Sequence, residues 1–213
     1  MLIAPSILTA DMLELKNAVD NLKAAGADML HLDVMDGNFV PNISFGFPII
    51  ESLRKHTDMV LDTHLMIDKP HRYVEKFAKI SDYVGFHYEA GSPVKETLQK
   101  IKDCGVKSCL TIKPATDPQE IFEFLPLCDM VLVMSVEPGF GGQSFMENSL
   151  DKLKALKAEI NRRGLSGLLE IDGGINDKTA PLAAQAGADI LVVGSYLFDA
   201  KDLKSTLGDL KKL

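Results

Sequence analysis

Histidine and aspartate residues stand two positions apart at the ends of two apolar segments. His31 and Asp33 lie in HLDV, Asp62 and His64 lie in LDTHL, and a third apolar segment, LLEID, ends at Asp172. Residues i and i+2 of a β-strand point to the same side of a sheet, so each pair would present an imidazole and a carboxylate together. Such donors suit a divalent metal of intermediate hardness, Zn²⁺ first, with Fe²⁺, Mn²⁺ or Co²⁺ as alternatives.

The predicted metal site uses four of these side chains, namely His31, Asp33, His64 and Asp172. In the alternative interpretation, the two histidines belong to the core and are hydrogen-bonded to nearby carboxylates. Burying two imidazoles and two carboxylates together without a cation would cost several kcal/mol for each charged group. The metal site is therefore the favoured hypothesis.

Three glycine-rich segments follow later apolar segments of the chain. They are VEPGFGGQSF (136–145), IDGGIND (171–177) and VVGSYLF (192–198). Glycine lets backbone N–H groups approach an anion closely, and three such segments on one side of a protein indicate phosphate binding. Ordinary turn chemistry is the alternative for each glycine pair alone. The segment 136–145 is also long enough to close as a lid.

Several further side chains at segment ends have less specific interpretations. Three methionines could form a soft, dry lining, although core packing is the usual role of methionine; they are Met35, Met66 and Met134. Lys113 in TIKPAT could form a Schiff base, but a solvated lysine is the favoured interpretation. His87 in FHYEA and Asp36 are expected to make ordinary hydrogen bonds.

The elements that would position these residues alternate in type along the chain. Amphipathic stretches such as 10–26 and 146–164 separate the apolar segments, and Asp11 with Glu14 offers an approximate capping box for the first. Strands alternating with helices predict right-handed βαβ units and a parallel sheet. The eight predicted strands are 2–8, 29–34, 59–66, 83–87, 106–112, 130–136, 168–172 and 190–195.

An internal repeat supports this organisation. An aspartate stands just before the second, fourth, sixth and eighth segments, at Asp28, Asp82, Asp129 and Asp189. At the N-terminal ends of barrel strands, such residues are expected to be structural. Eight βα units predict a single (β/α)8 TIM barrel of the α/β class over residues 1–213, whereas a doubly wound sheet would need a glycine fingerprint that SILTAD lacks.

Composition restricts the partners and the compartment. A net charge of −7 argues against nucleic-acid binding, and no apolar run approaches the length of a membrane span. The N-terminus lacks the features of a signal peptide. An odd number of cysteines without a CxxC motif predicts buried thiols and a cytoplasmic location; they are Cys104, Cys109 and Cys128.

Motifs along almost the whole chain resemble one known family. APSILTAD, HLDVMDGNFVPNISFG, DTHLMI, FHYEA, VMSVEPGFGGQSF, EIDGGIN and AGADILVVGS are similar, in this order, to the motifs of the ribulose-phosphate 3-epimerase family. The resemblance implies a cytosolic, metal-dependent isomerase of carbohydrate metabolism that interconverts D-ribulose 5-phosphate and D-xylulose 5-phosphate in the pentose phosphate pathway. Relatives form dimers or hexamers, so a homo-oligomer is expected.

The resemblance also assigns roles to residues. It implies one divalent metal per subunit, held by the four side chains of the predicted metal site, and an acid/base pair formed by Asp33 and Asp172. At Lys113, many relatives carry asparagine instead. The three methionines would line the region of the enediolate intermediate. The implied substrate contacts are Ser6, His64, Gly139, Phe140, Gly141, Gly142, Gly173, Gly174, Gly194 and Ser195.

The implied mechanism is a two-base proton transfer at carbon 3. Carboxylates on strands two and seven would stand on opposite faces of the sugar, and a metal would stabilise the enediolate. Three alternatives remain open from the residues. They are a 3-epimerase of a ketohexose phosphate such as allulose 6-phosphate, a metal-independent lyase or decarboxylase that uses Lys113, and a non-catalytic phosphosugar-binding barrel.

Overall fold

The computed structural model describes residues 1–213 and contains eight parallel strands in one sheet. Neighbouring strands pair in the order β1-β8-β7-β6-β5-β4-β3-β2, and a bridge between Ser6 and His31 joins the two edge strands. The predicted (β/α)8 TIM barrel is therefore confirmed. The strands are β1 Leu2–Pro5, β2 Met29–Met35, β3 Val60–Met66, β4 Tyr83–His87, β5 Lys107–Ile112, β6 Met130–Met134, β7 Leu168–Asp172 and β8 Ile190–Val193.

Helices follow the strands and cover the outside of the barrel. No helix has both the length and the apolar character needed to cross a membrane. The α-helices are α1 Leu15–Ala25, α2 Phe47–His56, α3 Val74–Ala78, α4 Val94–Asp103, α5 Asn148–Arg163, α6 Thr179–Ala186, α7 Ser195–Phe198 and α8 Leu203–Lys211. The 3₁₀ helices are Ile7–Thr9, Met12–Glu14, Pro70–Arg72 and Pro118–Leu127.

Several local predictions differ from the structure, and besides small shifts of other strand ends three differences are notable. The first strand ends at Pro5, where Ser6 caps a short 3₁₀ helix instead of extending the strand to residue 8. Asp11 accepts a hydrogen bond from the Leu13 N–H at 2.9 Å and so caps Met12–Glu14, not α1. Cys104 is exposed because it lies at the surface end of α4, whereas Cys109 and Cys128 are buried as predicted.

The core has two layers, as expected for this fold. A large cluster lies between strands and helices, and a smaller one fills the barrel below its mouth. Helix α5 shows how the outer layer forms, because Leu153, Leu156 and Ile160 recur every three to four residues and are all buried. Each such side chain stabilises the fold by about 1.5–3 kcal/mol through burial. The helix ends at Gly164, which adopts a left-handed conformation with φ 65°.

The four repeated aspartates form hydrogen bonds between neighbouring strands at the N-terminal end of the barrel. Each carboxylate accepts the backbone N–H of a residue in the neighbouring odd-numbered strand at 2.8–2.9 Å. The residue that donates this N–H accepts, in turn, a hydrogen bond from the backbone N–H of the same aspartate. The four pairs are Asp28 with Ile3, Asp82 with Leu61, Asp129 with Ser108 and Asp189 with Leu169. This repeated hydrogen bonding holds alternate strand pairs in register.

Candidate active site

Strands β2, β3 and β7 bring the predicted ligand residues together at the C-terminal mouth of the barrel. The parallel register places Asp33 opposite His64 and His31 opposite Asp62, while Asp172 is the last residue of β7. One ligand atom from each of the four predicted metal ligands lies within 4.8 Å of the others. The i, i+2 spacing recognised in the sequence thus produces a compact cluster of two imidazoles and two carboxylates.

Two imidazole nitrogens and one carboxylate oxygen approach each other within this cluster. Asp33 Oδ1 lies 3.1 Å from His64 Nδ1 and 3.3 Å from His31 Nε2, and these two nitrogens are 3.3 Å apart. The second oxygen of Asp33 accepts a hydrogen bond from the Ser6 hydroxyl at 2.6 Å. Ser6 therefore orients the carboxylate from the short turn that follows β1.

Burial and neighbouring charges drive the pKa values of the two aspartates in opposite directions. Burial opposes the ionisation of Asp33, but the positive charge of His31 and its hydrogen bond outweigh it and hold the pKa of Asp33 well below the usual range. Burial, reinforced by the negative charge of Asp33, raises the pKa of Asp172 to about 7. One carboxyl group is thus disposed to ionise and the other to retain a proton.

The second nitrogen of His31, Nδ1, lies close to two carboxyl groups that were not part of the predicted site. His31 Nδ1 lies 2.5 Å from Asp62 and 3.8 Å from Glu170, whose two carboxyl oxygens are buried without hydrogen-bond partners. Burial raises the pKa of Glu170 well above its usual value, which favours the neutral acid. The i−2 spacing to His64 and to Asp172 could have pointed to Asp62 and Glu170.

A cavity of about 560 Å³ opens above the cluster. Asp33 and Asp172 line it, whereas His31 and His64 lie beneath it and are 0% and 1% exposed. Every predicted substrate contact except His64 borders the cavity, and so do the three methionines. These lining residues are Ser6, Gly139, Phe140, Gly141, Gly142, Gly173, Gly174, Gly194, Ser195, Met35, Met66 and Met134.

Glycine is required where the loops pass closest to one another. Gly174 has φ 62°, and a Cβ atom there would lie 2.6 Å from the Phe145 nitrogen. The N–H groups of Gly141, Gly142, Gly174 and Gly194 donate to no other group of the protein, and no lysine or arginine lines the cavity. The loops therefore offer free backbone donors to an anion.

Lys113 and Asp36 do not border this cavity. The Lys113 ammonium lies 4.0 Å from the centre of the Phe39 ring, and its backbone N–H donates to Glu89 at 2.9 Å. Asp36 accepts backbone N–H groups of Asn38, Phe39 and Asp68, which together hold its pKa below the usual value despite opposing burial. The loop contacts of Asp36 fit the ordinary hydrogen-bonding role predicted for it.

The barrel, with its acidic and imidazole side chains at the C-terminal mouth, has the architecture of a (β/α)8-barrel enzyme. The sequence model of the Ribulose-phosphate 3 epimerase family matches residues 2–198. The chain therefore belongs to this family, and the prediction of an isomerase of carbohydrate phosphates is confirmed.

Named relatives match along almost their whole length. The ribulose-phosphate 3-epimerase of Bacillus subtilis is 44% identical over 211 residues, which cover 98% of this chain and 97% of the relative. The ribulose-phosphate 3-epimerase of Aquifex aeolicus is 42% identical over 213 residues, covering 100% and 96%.

Solved structures of other enzymes share only the fold. A tryptophan synthase of Mycobacterium tuberculosis has a TM-score of 0.69 at 16% identity, covering 99% of this chain and 91% of that one. A 3-hexulose-6-phosphate synthase has a TM-score of 0.68 at 16% identity, covering 100% and 99%.

Proposed function

We propose that this chain interconverts D-ribulose 5-phosphate and D-xylulose 5-phosphate by moving a proton at carbon 3 of the sugar. The observation that carries the proposal is that Asp33 and Asp172, from strands β2 and β7, line one cavity directly above His31 and His64. Epimerisation needs one group that removes the proton from one face and another that returns a proton to the opposite face. Family membership and the names of the relatives support the choice of substrate.

The donor set fits a divalent cation. His31, Asp33, His64 and Asp172 would hold it, and a set of two nitrogens and two oxygens suits Zn²⁺ first and also Fe²⁺, Mn²⁺ or Co²⁺. Asp62 supports this role, because its carboxylate lies 2.5 Å from His31 Nδ1 and would keep a proton there while Nε2 gives up its proton to bind the cation. When bound, the cation stabilises the negative charge that develops on the enediolate oxygens.

Asp33 and Asp172 carry the proton transfer in this scheme. As the C3–H bond breaks, one carboxylate takes the proton and the bonding electrons enter the enediolate. The other carboxyl group then donates its proton to the opposite face of carbon 3. The hydrogen bond from Ser6 holds Asp33 in place, and the opposite pKa shifts of the two groups fit a pair in which one member is protonated. Each positioned acid or base contributes roughly 10²–10⁴-fold to the rate.

The glycine-rich loops would bind the phosphate at the far end of the substrate. Free N–H groups in the segments around Gly141, Gly174 and Gly194 line the same cavity as the two aspartates. Backbone donors of this kind bind phosphate without lysine or arginine, which fits a cavity lined by neither. Anchoring this end fixes the orientation of carbon 3 between the two carboxyl groups.

Apolar side chains would keep water away from the reacting carbon. Met35, Met66 and Met134 border the cavity beside the cluster and form its soft wall. Phe140, which is 54% exposed, lies in the loop over residues 136–145. Closure of this loop over the substrate would place Phe140 against it and exclude solvent.

The test is turnover of D-ribulose 5-phosphate in D₂O, before and after the metal is stripped and after Zn²⁺ or Mn²⁺ is added back. Turnover that is lost on stripping, returns with the metal and places deuterium at carbon 3 would support the reaction, the bases and the cation together. Activity that survives stripping but disappears in Lys113→Ala would contradict the proposal and favour the metal-independent alternative.

Two further outcomes separate the remaining alternatives. Faster turnover of allulose 6-phosphate than of D-ribulose 5-phosphate would identify a ketohexose-phosphate epimerase. Binding of either sugar phosphate without hydrogen exchange at carbon 3 would identify a non-catalytic phosphosugar-binding barrel. Residues 1–213 as one catalytic domain, a cytoplasmic location, a homo-oligomeric state and the lack of a nucleic-acid partner remain predictions that complete this proposal.

A further inference from the structure

A chain of hydrogen bonds leads from His64 away from the cluster. His64 Nε2 lies 2.9 Å from His87 Nε2, and His87 Nδ1 lies 3.3 Å from Glu89 Oε2. His87 is completely buried, and neither His87 nor Glu89 borders the cavity, so neither contacts the proposed substrate. We propose that Glu89 and His87 are positioning residues that fix the tautomer of His64, so that its Nδ1 presents a lone pair to a cation. This inference rests on the proposed cation site.

Glu89 determines which groups donate and which accept in this series of hydrogen bonds, because it accepts hydrogen bonds and donates none. Its other oxygen, Oε1, accepts the Lys113 N–H at 2.9 Å and the Thr116 hydroxyl. Burial opposes its ionisation, but hydrogen bonds from His87, Thr116 and Lys113 outweigh this and hold the pKa of Glu89 at about 2. The group is therefore a carboxylate at neutral pH.

The carboxylate of Glu89 then determines which nitrogen of each of the two imidazole rings carries a proton. Because Glu89 has no proton to give, His87 must carry its own proton on Nδ1, which leaves a lone pair on Nε2. The contact of 2.9 Å between the two Nε2 atoms requires one N–H and one lone pair, so His64 must donate from Nε2. His64 Nδ1, which faces Asp33 Oδ1 and His31 Nε2, is left with the lone pair.

Packing holds the middle ring in this orientation. The Phe39 ring lies against His87 with centroids 4.9 Å apart, and the Lys113 ammonium covers the Phe39 ring. Lys152 in turn donates to the Lys113 carbonyl at 3.2 Å, which ties down the loop whose N–H reaches Glu89. Lys113 thus has a structural position in this chain of contacts, although its side chain is absent from the cavity wall.

Glu89→Gln tests the proposal with almost no change in shape. The amide oxygen would still accept hydrogen bonds from the Lys113 N–H and the Thr116 hydroxyl. The NH₂ group would therefore face His87 and require a lone pair on His87 Nδ1. His87 would then donate from Nε2, His64 would be protonated on Nδ1, and the cation would lose a ligand. We expect the affinity of the metal-stripped protein for Zn²⁺, measured by competition with a chromophoric chelator, to fall about 10–100-fold.

Thr116→Val is the matched control, because it removes one hydrogen bond from the same carboxylate but keeps the acceptor that faces His87. It should bind Zn²⁺ nearly as tightly as the wild type. Circular dichroism checks that both variants are folded. ¹⁵N NMR of the imidazole nitrogens provides a second readout, which a purely structural role would not change. The proton of His87 should lie on Nδ1 in the wild type and on Nε2 in Glu89→Gln.

The outcomes separate this inference from the proposed function. If the wild type binds Zn²⁺ and Glu89→Gln binds it equally well, the role of Glu89 and His87 is refuted and the cation site stands. A wild-type protein that binds no divalent metal would refute both. If Glu89→Gln does not fold, the wild-type spectrum decides, since a proton on His87 Nε2 would by itself overturn the inference.

Discussion

Aspartates at the N-terminal end of the barrel accept backbone N–H groups and pair with basic side chains, whereas those at the C-terminal end face imidazoles and a cavity. The basic partners at the N-terminal end are Lys211, Arg54, Lys102 and Lys157. Its four aspartate side chains are 23–46% exposed, but Asp33 at the mouth is only 4% exposed. The surroundings, not the residue type, decide whether a carboxylate stabilises the fold or is available for chemistry.

The largest expected effect is a loss of activity, which substitutions of aspartates at the C-terminal end of the barrel should cause and those at the N-terminal end should not. Asp33→Asn and Asp172→Asn should each lower kcat by at least about 10²–10⁴-fold, because an amide can neither take nor return the proton. The rate of D-ribulose 5-phosphate turnover measures this loss. Asp189→Asn, at the opposite end, is the control and should keep a normal kcat. A near-normal rate in either mouth variant would disprove the two-base scheme.

A smaller effect is expected at the N-terminal end, on stability alone. Asp189→Ala should lower the free energy of unfolding by about 1–3 kcal/mol, because the Leu169 N–H and Lys157 lose their acceptor. Urea denaturation measures this change, and kcat should stay unaltered. Asp151→Ala, which removes an exposed pair with Lys154, should change stability by about 0.5 kcal/mol or less. Equal losses in the two variants would mean that the repeated aspartates have no special role.

Substitutions of glycine allow the loop after β7 at the mouth to be compared with a helix end away from the site. Gly174→Ala places a Cβ atom 2.6 Å from the Phe145 nitrogen in a left-handed backbone conformation, with about 1–3 kcal/mol of strain. We expect KM to rise by about tenfold as the loop shifts away from the phosphate. Gly164→Ala, at the end of α5, has φ 65° but open space around it, so it carries the backbone strain without the clash and should leave KM unchanged. Equal KM values in these two variants would remove the Gly174 loop from the proposed phosphate site.

The smallest expected effect lies in α8. Gly208 is inside this helix and lacks a positive φ, and a Cβ atom added there would meet no other atom within 4 Å. Gly208→Ala should therefore stabilise the protein by about 0.5–1 kcal/mol without changing kcat. Thermal unfolding measures the gain. Gly26→Ala is the contrasting variant, because its φ of 92° should make the same substitution destabilising.

Much of the fold was predictable because its periodicities are local. Apolar runs and amphipathic stretches alternate, and the resulting eight strands appear in the structure with shifts of one to three residues at six of their sixteen ends. The segment Pro118–Leu127 shows where local patterns are insufficient, since it forms a 3₁₀ helix instead of an α-helix between β5 and β6. Pro126 lies inside this segment and cannot donate a backbone hydrogen bond.

The contacts of Asp62, Glu170 and Glu89 were not predictable from the sequence for a different reason, although the i−2 spacing marks Asp62 and Glu170 as candidates. Their positions depend on which strands become neighbours and how far side chains reach across them. Glu89 meets His87 two residues away, but the donors to its other oxygen come from residues 113 and 116. No spacing in a single sequence specifies such contacts between distant segments.

By itself, the sequence determined the strand faces of His31, Asp33 and His64 and placed the glycines of the three loops after β6, β7 and β8, because the alternation of side chains along a strand is a local property. It also determined the repeat of four aspartates at the strand starts. The sequence also predicted Asp172 as the fourth member of the cluster, but only the tertiary structure decided that the second nitrogens of the two histidines meet Asp62 and His87. Barrel closure sets those distances, because it brings strands far apart in the chain into one small mouth.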